Sequence, residues 1–158
     1  MKVLVTGGGG FLGQAICKQL VAHGHAVRSL NRSAHPALAA LGVDQRQGDI
    51  ASLDLVTEAA AGVDAIIHSA GRVGTWGRIE DYYETNVRGT DNVLAACELH
   101  EIDKLVLSGS LDRLDREGAC GIVFVAGGMN REVEAILSED ASEVLVSSIS
   151  DAAKSIGL

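Results

Sequence analysis

Proline is nearly missing from this chain. Pro36 is the one example in 158 residues, which excludes a proline-rich linker, and no low-complexity tract divides the sequence into parts. Basic residues are in deficit, 13 Lys and Arg against 21 Asp and Glu, for a formal charge of -8 and a pI near 5.0. Without a basic stripe a nucleic-acid partner is disfavoured, and an acidic surface of this kind favours solubility. Cysteine is scarce as well. Cys17, Cys97 and Cys120 are odd in number, widely spaced and form no C-x-x-C, so neither a disulfide framework nor a zinc site is implied. Small buried thiols in a reducing compartment are expected instead. No apolar run approaches the roughly 18 residues of a membrane span. Gly7 to Gly10 interrupt any apolar leader segment, and the expected setting is cytoplasmic, with no membrane and no metal.

Hydrophobic residues are not in short supply, at 47%, and a chain of this length fits one domain with one buried core. Its organising stretch is Val3 to Gly13, VLVTGGGGFLG. A β-branched apolar run meets four glycines, and then apolar side chains recur at Phe11, Leu12, Ala15, Ile16, Leu20 and Val21, which predicts strand, tight turn and helix. A backbone that passes close to a diphosphate carries no Cβ at the contact points, and a helix N-terminus offers free N–H groups to an anion. Gly7, Gly10 and Gly13 stand where a T-G-x-x-G-x-x-G dinucleotide turn places its bend, its phosphate approach and its close helix packing. Gly-rich turns also occur as plain loops, and the glycines alone leave that alternative open.

Further strands are expected at His25 to Leu30, Asp44 to Gln47, Ala65 to Ser69 and Lys104 to Leu107. They alternate with helices at Pro36 to Leu41, Leu53 to Ala61 and, longest, Glu80 to Glu101, whose apolar stripe would comprise Val87, Val93, Leu94, Ala96, Cys97 and Leu99. Such alternation means a parallel, doubly wound sheet. The second strand ends at Asn31-Arg32-Ser33, where the adenosine ribose of a dinucleotide would lie. A carboxylate there repels a 2′-phosphate, whereas Asn followed by Arg removes the repulsion and adds a cation. NADP is therefore expected, with NAD as the alternative if Arg32 is only a solvated charge stacked on adenine. Asn86 stands inside the long helix, where asparagine usually points to solvent.

Five segments in order, TGGGGFLG (6–13), GDI (48–50), DAIIHSAG (64–71), ETNVRGT (84–90) and KLVLSGS (104–110), resemble the extended short-chain dehydrogenase/reductases, particularly the NAD-dependent epimerase/dehydratase and 3β-hydroxysteroid dehydrogenase-like members. The resemblance covers about two thirds of the chain. It implies that Gly7, Gly10 and Gly13, with the helix start at Phe11 and Leu12, hold the pyrophosphate. It implies likewise that Asp49 and Ile50 contact adenine and that Ser69, Ala70 and Gly71 line the pocket near the ribose. Asn86 would be the family's helix asparagine, and Ser110 resembles the serine that hydrogen-bonds the reacting carbonyl. His68 is given no proton-transfer role.

The family's Y-x-x-x-K motif does not follow. The tyrosines are Tyr82 and Tyr83, both before the fifth strand, and the one lysine after Lys104 is Lys154. No substrate lobe follows Ser110 either, which leaves Ser110 and Asn86 as vestigial catalytic candidates. Residues 111–158 instead suggest two further α/β units: a helix at Leu111 to Gly118, a strand at Gly121 to Ala126, a turn at Gly127-Gly128, a helix at Asn130 to Leu137, a strand at Glu143 to Ser147 and a helix from Asp151. Asn130 and Ser150 are read as helix caps, and the glycines before Asn130 lack the lysine and hydroxyl of a P-loop. The join at Ser108 to Leu111 suggests a splice, natural or engineered, that would make the chain truncated or chimeric.

The expected architecture is one Rossmann-like domain over residues 1–158, a three-layer αβα sandwich with a doubly wound parallel sheet of about seven strands. The expected function is an NAD(P)-binding module whose partner is a dinucleotide, with self-association as a homodimer left open. The alternatives are an NADP-dependent oxidoreductase or epimerase using Ser110, and a structural scaffold with a vestigial pocket.

Overall fold

The computed structural model describes residues 1–72, 76–107, 121–126 and 132–137. Strands β1 (Lys2–Thr6), β2 (Ala26–Asn31), β3 (Asp44–Gln47), β4 (Ala65–His68) and β5 (Leu105–Leu107) form one sheet in the order β3-β2-β1-β4-β5. Every neighbouring pair in it is parallel. Between them run α1 (Phe11–Ala22), α2 (Pro36–Ala40), α3 (Leu53–Ala60), α4 (Ile79–Tyr82) and α5 (Gly89–Leu99), with a π-helical segment, Tyr83–Arg88, joining the last two.

Alternation along the central strand builds the layers. Val3 and Val5 pack with Ile16, Cys17 and Leu20 of α1 and Leu38 of α2. Leu4 faces the other way, onto Val56, Ala59 and Ala60 of α3 and Val93, Ala96 and Cys97 of α5. Strands buried on both faces are therefore continuous apolar runs, as VLV and AII are. Burial also explains the cysteines. The Cys17 thiol is pushed up to about 12 and Cys97 to about 11 by desolvation, so both are inert hydrophobic fillers at neutral pH.

One buried charge ties the sheet edge to the second helical layer. Arg28 of β2 is 6% exposed. It donates from Nε to Asp44 Oδ2 at 2.9 Å, and from one terminal nitrogen to the carbonyls of Ala59 and Ala61 at 2.8 and 2.9 Å, closing the end of α3. The hydrogen bond from Arg28 in turn holds the Asp44 carboxyl below its ordinary value.

Two expectations are corrected. The long helix is not uniformly α-helical: the wider π turn inserts a residue, which rotates Val87 out of the stripe and leaves it 42% exposed, while Leu99 at the far end is 66% exposed. The C-terminal strands also leave the parallel sheet. β6 (Gly121–Ala126) and β7 (Glu132–Leu137) pair antiparallel with each other in a separate two-stranded sheet, Gly121 opposite Leu137 and Ala126 opposite Glu132. The helix expected at Asn130 to Leu137 is thus a strand over its last six residues. The reason is in the spacing: five residues separate β6 from β7, whereas a parallel return needs a dozen or more, so only a hairpin closes. The expected sheet of about seven parallel strands becomes five parallel strands and a hairpin. Ser110 and the elements expected at 111–118 and 143–158 lie outside the described residues.

Candidate functional site

Between β1 and β4 the strand order reverses direction, and in open parallel sheets the crevice at the carboxyl ends of the strands beside such a switch is where ligands bind. Here that crevice is a cleft of about 370 Å³, walled by the glycine turn after β1, the end of β2, the β3–α3 turn and the segment after β4.

The glycines of the turn do different things. Gly7 turns the chain with φ +71°, and a Cβ on it would stand 2.8 Å from the Ala70 backbone. Gly13 lies buried in α1, where a Cβ would overlap the Gly7 carbonyl and the Gly8 Cα, so it sets how closely α1 meets the strand. Gly10 is exposed, and the single neighbour of a Cβ there would be Gly7 O, at 3.4 Å. No side chain caps α1 and no acidic residue stands in its first turn, so nothing among the described residues competes with an incoming anion for its first N–H groups.

Of the sequence candidates, Gly7, Gly10, Asn31, Arg32, Asp49, Ile50, Ser69, Ala70 and Gly71 all line the cleft. Phe11, Leu12 and Gly13 do not. Phe11 is 89% exposed, and Leu12 turns inward to pack on the core. Asn31 has a different task from ribose contact alone: it is buried, accepts the Gly9 N–H at 2.8 Å and donates to Ser29 Oγ at 2.6 Å, so its carboxamide buttresses the glycine turn. Arg32 is exposed. Of the six arginines among the described residues, Arg28, Arg46, Arg72, Arg78 and Arg88 each pair with a carboxylate, and Arg32 alone does not.

Three residues of the site were missed in the sequence. His35 lines the cleft with its imidazole laid against Gly9, so closely that a Cβ on Gly9 would coincide with the ring. Gln45 of β3 holds His35 there, accepting its N–H at 2.8 Å and donating to its carbonyl at 3.2 Å. Arg72 lies over the Tyr82 ring, 5.2 Å from its centroid, beside Asp81. Asn86 is exposed, as expected of a helix asparagine, and it also grips the cleft wall: its Oδ1 accepts the Arg72 N–H at 2.7 Å and its Nδ2 donates to the Arg72 carbonyl at 3.0 Å. The signal available for Asn86 was the motif it stands in, since composition alone says nothing of a contact 14 residues away.

His68, 2% exposed at the end of β4, is driven by burial down to about 4. Its folded value lies below that of an unfolded histidine, so the unfolded chain binds more protons in between. The stabilisation is complete above about pH 6.5 and is lost as pH falls towards 4, at most about 3 kcal/mol. Urea unfolding at pH 7 and 4.5 should show this loss in the wild type and not in His68→Gln; equal pH dependence in both would refute it.

The model of the 3-beta hydroxysteroid dehydrogenase/isomerase family matches residues 4–119, which takes in the glycine turn, both walls of the cleft and the residues beyond Ser110. The chain belongs to this family. It is 52% identical over 110 residues to the 2-alkyl-3-oxoalkanoate reductase of Stenotrophomonas maltophilia (strain K279a), a match covering 70% of the chain and 33% of the reductase. The chain thus spans about a third of that relative's length. Uncharacterized protein 052L of Frog virus 3 (isolate Goorha) is 31% identical over 171 aligned residues, covering 100% of the chain and 48% of the viral protein. Among solved structures, a mutant uronate dehydrogenase from Agrobacterium tumefaciens complexed with NAD superposes with a TM-score of 0.58 at 26% identity, over 69% of this family member and 40% of that chain.

Proposed function

We propose that residues 1–107 are an NAD(P)-binding module and that the cleft takes a dinucleotide with its diphosphate over Gly10 and its adenosine towards Arg32. The observation that carries this is the open Gly10, at the start of an uncapped helix and at the switch point of the sheet, since a Cβ-free approach there has no use in the protein's own packing. The fit extends to the far end of the cleft. Asp49 is the one carboxylate among the described residues of the lining, and its Oδ1 accepts the Ala51 N–H at 2.9 Å. A bound cofactor of this kind supplies a hydride donor or acceptor; this chain supplies the cradle. Every described residue of the cradle precedes residue 108.

The module prefers NADP over NAD. An arginine with no carboxylate partner of its own is available for a 2′-phosphate, and the carboxamide of Asn31 carries no charge to repel one. Charge-assisted hydrogen bonds of this type are worth about 1.5 to 3 kcal/mol, less at an exposed site, so roughly a tenfold preference is expected. Calorimetric titration of both dinucleotides into wild type and Arg32→Ala should show the ratio collapsing to near one in the mutant. Tighter binding of NAD, or a ratio indifferent to Arg32, would refute the preference. No heat with either dinucleotide, and no response of Trp76 emission, would refute the module and leave a scaffold.

A further inference from the structure

A buried histidine with hydrogen bonds on both ring nitrogens is commonly a core residue with its polar atoms satisfied. At His68 the hydrogen bonds have a direction, and the direction can be worked out atom by atom. Thr90 Oγ1 lies 2.7 Å from the carbonyl oxygen of Asn86. A carbonyl only accepts, and of the two groups within reach of the Thr90 hydroxyl it is the nearer, so the hydroxyl proton is assigned to it. Thr90 Oγ1 can then only accept from His68 Nε2, 3.1 Å away, which places the ring proton on Nε2. The neutral ring therefore presents a bare Nδ1, and this accepts the hydroxyl proton of Thr6 at 2.6 Å. Thr6 Oγ1 in its turn accepts the backbone N–H of Ala70 at 3.3 Å.

Both ends of this chain reach the same cleft wall. At one end is the N–H of Ala70. At the other is the backbone of Asn86, whose carboxamide grips both the N–H and the carbonyl of Arg72. Ser69 adds a hydrogen bond from Oγ to the Thr6 carbonyl at 2.8 Å. The wall segment 69–72, which belongs to no helix or strand, is thereby fastened at each end to one circuit passing through His68. Its Asn86 corner sits in the π-helical segment, where the wider turn displaces backbone groups from the regular α-helical ladder.

We propose that His68 is a positioning residue, fixed as its Nε2–H tautomer, whose ring bridges Thr6 to Thr90 and so sets the placement of the cleft wall 69–72 relative to the π segment. That this wall faces a dinucleotide rests on the function proposed above; the bridge itself does not.

Thr90 is the place to cut, because valine keeps the shape of the side chain while removing the Thr90 hydroxyl from the bridge. In the unliganded full chain, hydrogen exchange at the Ala70 and Arg72 amides should run about 5-fold faster in Thr90→Val, the equivalent of one net hydrogen bond. Exchange at Val5, inside the central strand, should be unchanged. Thr90→Ser should restore the wild-type rates, and a long-range nitrogen–proton spectrum should show the His68 proton on Nε2. NADP affinity should fall by a similar factor in Thr90→Val and recover in Thr90→Ser. Unchanged exchange at Ala70 and Arg72, acceleration no greater than at Val5, or an Nδ1–H tautomer would overturn the proposal. If the wild type binds no dinucleotide, the exchange and tautomer measurements still decide on the bridge, and only the dinucleotide reading fails.

Discussion

Gly10→Val should abolish dinucleotide binding and leave the fold standing. Gly10 has φ -74° and ψ 170°, an extended conformation open to any residue, and the one atom near a Cβ is the Gly7 carbonyl oxygen at an ordinary contact distance of 3.4 Å. The protein therefore loses little. The ligand loses its approach, because a branched side chain then fills the space in which the diphosphate meets the helix N-terminus. Binding should drop more than ~100-fold, beyond about 2.7 kcal/mol, with the melting temperature shifted by only a few degrees. The neighbouring glycines make the contrast. Valine at Gly13 would be driven into the Gly7 carbonyl, and at Gly7 it would take a positive φ against the Ala70 backbone, so those variants should fail to fold. Retained calorimetric affinity in Gly10→Val would mean that the glycines serve the turn alone.

The same distinction shows which parts of the site were legible in the sequence. Gly7, Gly10 and Gly13 could be read because a turn that needs a positive φ, an open approach and a close helix contact writes each need as a missing side chain at fixed spacing. The five parallel strands could be read because strands buried on both faces are apolar runs, and the crossovers between them are long enough for helices. Asn31 could be placed at the end of β2 but not understood there. Its hydrogen bonds to Gly9 and Ser29 depend on how the turn folds back over the strand, which no local pattern records. His35 was invisible for the same reason, its position being set by Gln45 and Gly9 from two other elements. At β7, Glu, Ala and Leu are good helix formers, and by propensity EVEAIL suits the helix expected at Asn130 to Leu137. The five-residue connection to β6 was the stronger constraint, and chain geometry decided the outcome.

The 158-residue chain should turn over no ketone or aldehyde with NADPH at a rate typical of the family it belongs to. Reduction of a carbonyl needs a proton delivered to the developing alkoxide, and a positioned acid of suitable pKa contributes about 100-fold to 10,000-fold. No tyrosine follows Tyr83, and the one lysine after Lys104 is Lys154, so the Tyr–Lys pair of the dehydrogenases it resembles has no counterpart in this sequence. The remaining hydroxyls are poorly suited. Tyr82 donates to the Trp76 carbonyl at 3.0 Å and lies beneath Arg72, and Tyr83 is 61% exposed on the helix surface. His68 sits near the cleft, but burial lowers its pKa to about 4 and keeps the ring neutral at neutral pH, and its ring nitrogens are bonded to Thr6 and Thr90, so it is no ready proton donor. Ser110 can donate a hydrogen bond, yet a serine hydroxyl is by itself a poor acid. A reactant that is not held in place forgoes in addition several kcal/mol of barrier lowering. Without a positioned acid the rate should fall by about 100-fold to 10,000-fold. NADPH oxidation against a panel of ketones and aldehydes, with Ser110→Ala as the control, tests this. Robust turnover that disappears in Ser110→Ala would make Ser110 the acid and the chain an enzyme, whereas absent turnover beside measurable NADP binding is the result expected of a dinucleotide-binding module.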